Sequence, residues 1–259
     1  MAYDYEYFMD EVMKLTHIDL TAYKQNQMKR RIDALIAKHK IPGYDAYIKV
    51  LKTDKVKYDE FVDYITINVS EFYRNPEQWV YLSKNVFPKL IQKFGENLHI
   101  WSAACSTGDE PYSLAMCLSD FVPLEKIKIT ATDINDLVIE KAKIGLYSAK
   151  SIVGVPEDKK KAYFTQNGDF YQISDKIKKC VTFKQHDLLK DPYPKGVHLI
   201  VCRNVLIYFT EEAKDEIYVK FHKSLVPGGA LFIGSTEQIM NYREIGFNRN
   251  KSFFFEKAE

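Results

Sequence analysis

Along the first ninety residues, apolar side chains return every three or four positions. Tyr5, Phe8, Met9 and Val12 mark one helical face, and Met28, Ile32, Leu35 and Ile36 repeat it. Pro42-Gly43 interrupts the period. Tyr44, Tyr47, Ile48 and Leu51 restart it, and Tyr58, Phe61 and Ile65 carry a further helix. Asn75-Pro76 gives a start signal, an N-cap side chain followed by proline at the first helical position. Trp79, Leu82, Phe87, Leu90 and Ile91 fit a long helix after it, and no strand-like alternation precedes residue 97.

Beyond 97 the texture changes. The short apolar runs LHIWSAA, KIKITAT, VTFKQH, VHLIVC and ALFIGS alternate with candidate helices near 110–120, 134–144 and 210–225. This rhythm predicts an α/β fold with a doubly wound, mostly parallel sheet covered on both faces. The closing YREIGFNRNKSFFFEK reads as two strands about a polar turn, a terminal antiparallel hairpin. Residues 145–180 are too long for an ordinary loop and are expected to form a small inserted β subdomain with a hairpin at Asn167-Gly168. Gly168 and Phe170–Ile173 are its candidate exposed edge, able to accept a peptide strand. The expected organisation is a partly basic helical domain at 1–75 and a second domain at 76–259 carrying the 145–180 insertion.

Composition narrows the function classes. With 46% hydrophobic and 28% charged residues, the chain can bury an ordinary globular core. A net charge of +2 gives no electrostatic footprint for nucleic acid. The opening MAYDYEYFMDEV lacks a basic segment followed by an apolar run, and no stretch approaches the roughly 20 apolar residues of a membrane span. The expectation is a cytoplasmic protein without membrane insertion. Cys105, Cys117, Cys180 and Cys202 show no CxxC spacing, so reduced thiols and no metal site are expected.

In an open α/β sheet, ligands bind at the carboxyl ends of strands near the point where strand order reverses. After the first predicted strand comes Ala103-Ala104-Cys105-Ser106-Thr107-Gly108-Asp109-Glu110-Pro111, small residues that allow close backbone approach to a ligand. Asp133 follows the second strand, Asp187 the third and Arg203-Asn204 the fourth. Asp133 suits the two hydroxyls of a ribose, or else caps the helix that begins near Asn135. Asp187 reads equally as a turn residue. The loop lacks GxGxxG, which disfavours a dinucleotide and an oxidoreductase, and suits a nucleoside cofactor without phosphates.

The strings ITINVSEFYR (65–74), WSAACSTGDEPYSLA (101–115), ATDIN (131–135), VCRNVLIYF (201–209) and LVPGGALFIGSTE (225–237) closely resemble chemotaxis-receptor glutamate methyltransferases, the CheR family, in order along nearly the whole chain. The resemblance implies a class I methyltransferase sheet, S-adenosylmethionine as cofactor with S-adenosylhomocysteine as product, and chemoreceptor cytoplasmic helical domains as partners of a monomeric enzyme. Carried over by position, it makes Asn68, Ser70, Arg74, Glu110, Asp133, Asp187, Leu188, Arg203 and Asn204 cofactor contacts, with Arg74 and Tyr208 nearest the reacting methyl. It also implies that the insertion docks on a receptor tether in some members. Departures are small: Ser70 stands for a frequent threonine, Tyr73 for phenylalanine, Asp109 for glutamate and Asp187 for a frequent asparagine. Without the family, Arg74 reads as a cap or salt bridge at the domain junction, and Tyr208 as a core aromatic.

A glutamate acceptor, with a pKa near ~4.3, is already ionised at neutral pH, so no general base is required. Alignment and exclusion of water are what such an enzyme supplies. Residues 21–60 carry ten bases against five acids, and Lys24, Arg31 and Lys38 recur every seven positions on one helical stripe. The stripe is either a solvated edge or, given the family, a reader of an acidic helical substrate. A methyltransferase acting on a small carboxylic acid or a different protein, and a non-enzymatic binder of the same fold, remain as rivals.

Overall fold

The structure, a computed structural model, describes residues 4–259. It divides into two compact units, the described residues up to Asn68 with 207–215, and 69–206 with 216–259.

The first unit holds α1 (Tyr5–Thr16), α2 (Gln25–Lys38), α3 (Tyr44–Thr53) and α4 (Lys55–Thr66). Two of the helix starts have a side-chain cap. The Asp4 carboxylate accepts from Tyr7 N–H at 3.0 Å to start α1, and the Asp54 carboxylate accepts from Val56 and Lys57 at 3.0 and 3.1 Å to start α4. The predicted apolar faces converge: Phe8, Val12, Ile32, Tyr47 and Phe61 are fully buried. Phe61 stands edge-on to Phe8 and Tyr47, with centroids 6.1 and 5.7 Å apart.

The second unit opens on α5 (Pro76–Tyr81), a wider π turn (Leu82–Val86) and α6 (Phe87–Phe94), one unbroken helical run as the apolar spacing predicts. Strands then alternate with helices: β1 (His99–Ala103), α7 (Asp109–Leu118), β2 (Lys128–Asp133), α8 (Asp136–Ile144), and later β6 (Val181–Gln185), β7 (Val197–Cys202), α11 (Glu211–Ser224, of which this unit holds the part from Glu216) and β8 (Leu225–Ile233). The sheet order is β6-β2-β1-β7-β8, all parallel, followed by β10 (Phe254–Lys257) and β9 (Phe247–Lys251). Strands β9 and β10 form the expected antiparallel hairpin. The Tyr242–Ile245 part of that segment is a short helix, α12, not a strand. Winding reverses between β1 and β7, whose near-continuous burial matches strands covered on both faces.

Between α8 and β6, a three-stranded sheet forms from β3 (Leu146–Ser148), β4 (Phe164–Asn167) and β5 (Phe170–Ile173), with the short helices α9 (Glu157–Tyr163) and α10 (Asp175–Lys178) around it. The hairpin at Asn167-Gly168 is present. The edge expectation is corrected: Phe170–Ile173 is the central strand, paired to β3 on one side and β4 on the other, so its backbone has no free edge for a peptide. Leu146–Ser148 supplies the missing partner, and three residues at a helix exit gave no period to read. Among the described residues, no helix is long and apolar enough to cross a membrane, and the four cysteines are buried free thiols.

Truncating the ring that joins the helical core should be costly. Phe61→Ala is expected to lose about 3–5 kcal/mol in urea unfolding. A loss below about 1 kcal/mol would mean that this cluster does not form.

Candidate active site

The site grows from the two strands that flank the reversal. After β1 the backbone enters left-handed conformations at Ala104 (φ 74°), Ser106 (φ 47°) and Gly108 (φ 90°). This coil sends the N–H groups of Ala104 and Cys105 to the Thr132 carbonyl, both at 2.8 Å, and the Ser106 N–H to Asp133 Oδ2 at 2.8 Å. A Cβ on Gly108 would meet Ala142 Cβ at 2.9 Å, so the entry to α7 requires glycine twice over, for space and for φ. Asp133 is buried, and its Oδ1 accepts from Asn135 N–H at 3.0 Å. Burial pushes this carboxyl up from its ordinary value, and the N–H donors oppose the shift. The helix cap falls to Asn135, whose side chain accepts from Leu137 N–H at 2.9 Å. Asp133 is therefore free of the capping role and organises the loop.

Glu110, the second residue of α7, accepts from Ser102 Oγ at 2.8 Å and lies 3.9 Å from Arg203 Nη1. Burial pushes its carboxyl up to about 7, against the pull of Arg203 and Arg74, with the Glu237 charge adding to the rise. Arg203, its side chain only 3% exposed, lies over the Phe232 ring at 4.6 Å. Its Nη2 donates to Arg74 O at 2.8 Å, Asn75 Oδ1 at 3.0 Å and Gln78 Oε1 at 2.8 Å. The Asn75 side chain thus makes no helix cap; it adopts φ 60° and spends its oxygen on Arg203. Pro76 opens α5 as expected.

Ser70, Arg74, Glu110, Arg203 and Asn204, five of the positions singled out from sequence, line one cleft together with Ser106. Asp133 meets it through Ser106 N–H. Ser70 also bonds the buried Asp109 carboxyl, which burial pushes up. The half-buried Arg74 guanidinium reaches Val69 O at 3.4 Å. Asp187 and Leu188 lie outside that lining, after β6: Asp187 Oδ1 accepts from Leu189 N–H at 2.8 Å, a turn contact, and Leu188 is buried. Asn68 and Tyr208 belong to the helical unit. There the Asn68 amide donates to Asp63 Oδ1 at 3.0 Å, and the Tyr208 carbonyl accepts from Lys24 N–H at 2.9 Å. Of the basic stripe, Lys24 is exposed, Lys38 pairs with Glu60 at 2.8 Å, and Arg31 donates to Tyr64 O at 2.6 Å and stacks on its ring.

Sequence reasoning assigned no role to Ser106 or Glu237. The signal for Ser106 was its place in the small-residue loop. Glu237 carried none beyond its position at the end of a recognised string.

The cleft suits a zwitterionic, cationic nucleoside. Ser106 Oγ, Asn204 Oδ1 and Arg203 Nε are buried polar atoms without hydrogen-bond partners, so a ligand bearing both donors and acceptors would complete them. Glu110 offers a carboxylate to an ammonium, and Arg74 a guanidinium to a carboxylate. S-adenosylmethionine carries both groups.

A parallel sheet reversing beside a small-residue loop, with an acid after the second strand and an antiparallel terminal hairpin, defines a class I methyltransferase. The chain belongs to the CheR methyltransferase family: residues 68–252 match its SAM binding domain and 3–66 its all-alpha domain. It is 46% identical over 255 residues to a chemotaxis protein methyltransferase of Listeria monocytogenes, covering 98% of this chain and 97% of the relative. A chemotaxis protein methyltransferase of Borreliella burgdorferi is 33% identical over 89% of this chain and 86% of its own length. S-adenosylmethionine is accordingly the cofactor.

The raised Glu110 carboxyl gives binding a pH dependence. An unfolded glutamate releases its proton near 4.5 and the folded one near 7, so unliganded stability falls as pH rises through that window. Cation binding favours the ionised form. Calorimetry with S-adenosylhomocysteine should therefore show affinity about tenfold weaker at pH 6 than at pH 8, and Glu110→Gln should flatten that slope. A slope unchanged in Glu110→Gln would remove Glu110 from the cofactor contacts.

Proposed function

We propose that this methyltransferase transfers the methyl of S-adenosylmethionine to specific glutamate side chains in the cytoplasmic helical domains of chemoreceptors, giving glutamate methyl esters and S-adenosylhomocysteine in sensory adaptation. Membership of a family whose curated relatives are named chemotaxis methyltransferases supports the receptor as substrate. The observation that carries the chemistry is the division of charges in the cleft. Asp133 is bound by backbone N–H groups and Glu110 faces Ser102 and Arg203, whereas Arg74 makes one long hydrogen bond, to Val69 O.

A glutamate acceptor is already ionised and needs no base. Its oxygen attacks the methyl carbon as the carbon–sulfur bond breaks, and the sulfonium leaves as a neutral thioether. Arg74 holds a carboxylate in bidentate geometry, that of the acceptor or of the cofactor. The family motif puts Tyr208 near the reacting methyl, and its hydroxyl is able to donate one further hydrogen bond there. Cofactor contacts at Asn68, Asp187 and Leu188 rest on the same motif. The exposed Lys24, with Lys38, is proposed to meet the acidic surface of the receptor; Arg31, committed to Tyr64, is proposed to support the stripe from within the helical unit.

Incubation with methyl-labelled cofactor should label receptor-containing membranes with base-labile esters and leave small carboxylic acids unlabelled. Arg74→Ala should lower the rate about 10²-fold or more. Label on the small acids with none on the receptor would overturn the proposal. Lys24→Glu combined with Lys38→Gln should raise the KM for receptor and flatten its salt dependence without changing S-adenosylhomocysteine affinity. Unaltered salt dependence would remove the stripe from substrate recognition.

A further inference from the structure

One buried carboxylate beside the cleft has no part in the chemistry above. Glu237, 4% exposed, follows β8 and reaches back to the turn after β7. Its Oε2 accepts from the N–H groups of Asn204 at 3.0 Å and Gly234 at 2.6 Å; its Oε1 accepts from Val205 at 3.1 Å and Leu206 at 2.9 Å. Three consecutive N–H groups thus form an anion-holding nest filled by a side chain of the same unit. Burying a carboxylate is costly unless its lone pairs are met, and here four donors meet them.

The nest fixes a residue of that turn whose buried polar atom is unsatisfied. Asn204 lies in the left-handed region (φ 61°), lines the cleft, and has a buried Oδ1 without a partner. Space around the nest is also fixed. A Cβ on Gly234 would meet Asn204 N at 2.7 Å, Asn204 Nδ2 at 2.8 Å and Glu237 Oε2 at 2.8 Å.

We infer that Glu237 is a positioning residue for cofactor binding: by holding the 204–206 turn through its backbone, it keeps the Asn204 amide aimed into the cleft as an acceptor for a donor of the cofactor. Glu237 itself touches no ligand. The inference rests on the assignment of the cleft to S-adenosylmethionine. It adds that the end of β8, not the cleft lining alone, sets affinity, and that the two C-terminal strand ends are coupled through a single carboxylate.

The test is a double-mutant cycle read by calorimetry with S-adenosylhomocysteine. Asn204→Gly keeps the left-handed backbone and removes only the amide. Glu237→Gln keeps the shape but turns an acceptor into a donor facing N–H groups. Each single variant should weaken affinity by about ten- to a hundredfold, the span of a lost hydrogen bond to a charged group. The double variant should be no weaker than the weaker single one, because both act on the same contact. A general loosening of the fold would instead give additive losses, and additive losses overturn the inference.

A second readout separates positioning from bulk stability. Glu237 is one of the charges that raise Glu110, opposed by Arg203 and Arg74. Removing it should move the pH midpoint of cofactor binding downward in Glu237→Gln but not in Asn204→Gly. If Glu237→Gln fails to fold, Gly234→Ala carries the test, since it displaces Asn204 from the carboxylate while leaving the charge in place. Unchanged affinity in Glu237→Gln or Gly234→Ala, with Glu110→Gln impaired, would overturn the role of Glu237 alone. Unchanged affinity in Glu110→Gln as well would overturn the cleft assignment together with it.

Discussion

The second unit depends on a cation held out of water. Arg203 sits at the end of β7 with its guanidinium over Phe232 and three acceptors drawn from the segment 74–78. Burying such a group costs several kcal/mol, and removing its partners leaves that cost uncompensated. The segment that precedes α5 is therefore tied to the central sheet by charge and hydrogen bonding as well as by apolar packing. The same guanidinium lies 3.9 Å from Glu110, so that buried acid and the arginine that locks the entry to α5 share one electrostatic environment.

That lock explains where the backbone is strained. Tyr73, Asn75, Ala104, Ser106 and Asn204 all adopt positive φ without being glycine. Such residues cost of order 1–3 kcal/mol each and persist where surroundings over-determine them. Here the determinants are identifiable: Asp133 holds Ser106, Arg203 holds Asn75, and Glu237 holds Asn204. Three buried charges fix three unfavourable turns, and the turns converge on one cleft. Strain and buried charge are two sides of the same arrangement.

What could be read in the chain follows from this division. Helices and strands announced themselves because burial on one face or two imposes a period, and Phe8, Phe61 or the β7 run VHLIVC obey it. The carboxyl-end loops were legible as small residues and lone acids. The partners of those acids were not. Nothing local tells Asn75 that its oxygen will meet Arg203, 128 residues away, in place of capping its own helix. Nor does a Ser-Thr-Glu sequence announce a carboxylate that accepts four N–H groups. The central position of Phe170–Ile173 was missed for a related reason. Pairing on two sides is decided by the three-residue strand Leu146–Ser148, which is too short to carry a pattern.

The distribution of acids also bears on the kind of reaction the cleft can perform. Asp109, Glu110, Asp133 and Glu237 are all pushed up by burial, a set that would suit proton transfer if one of them faced an acceptor unencumbered. Asp109, Asp133 and Glu237 are instead saturated by hydroxyl or backbone donors, and Glu110 is shared between Ser102 and Arg203. Burial raises their proton affinity, and for Asp109, Asp133 and Glu237 that burial goes with holding loops in place. A methyl transfer to an anionic oxygen needs a fixed, water-poor geometry and no proton shuttle. A cleft bordered by Asp109, Asp133 and Glu237 as architecture, with Arg74 less engaged at its rim, suits that requirement.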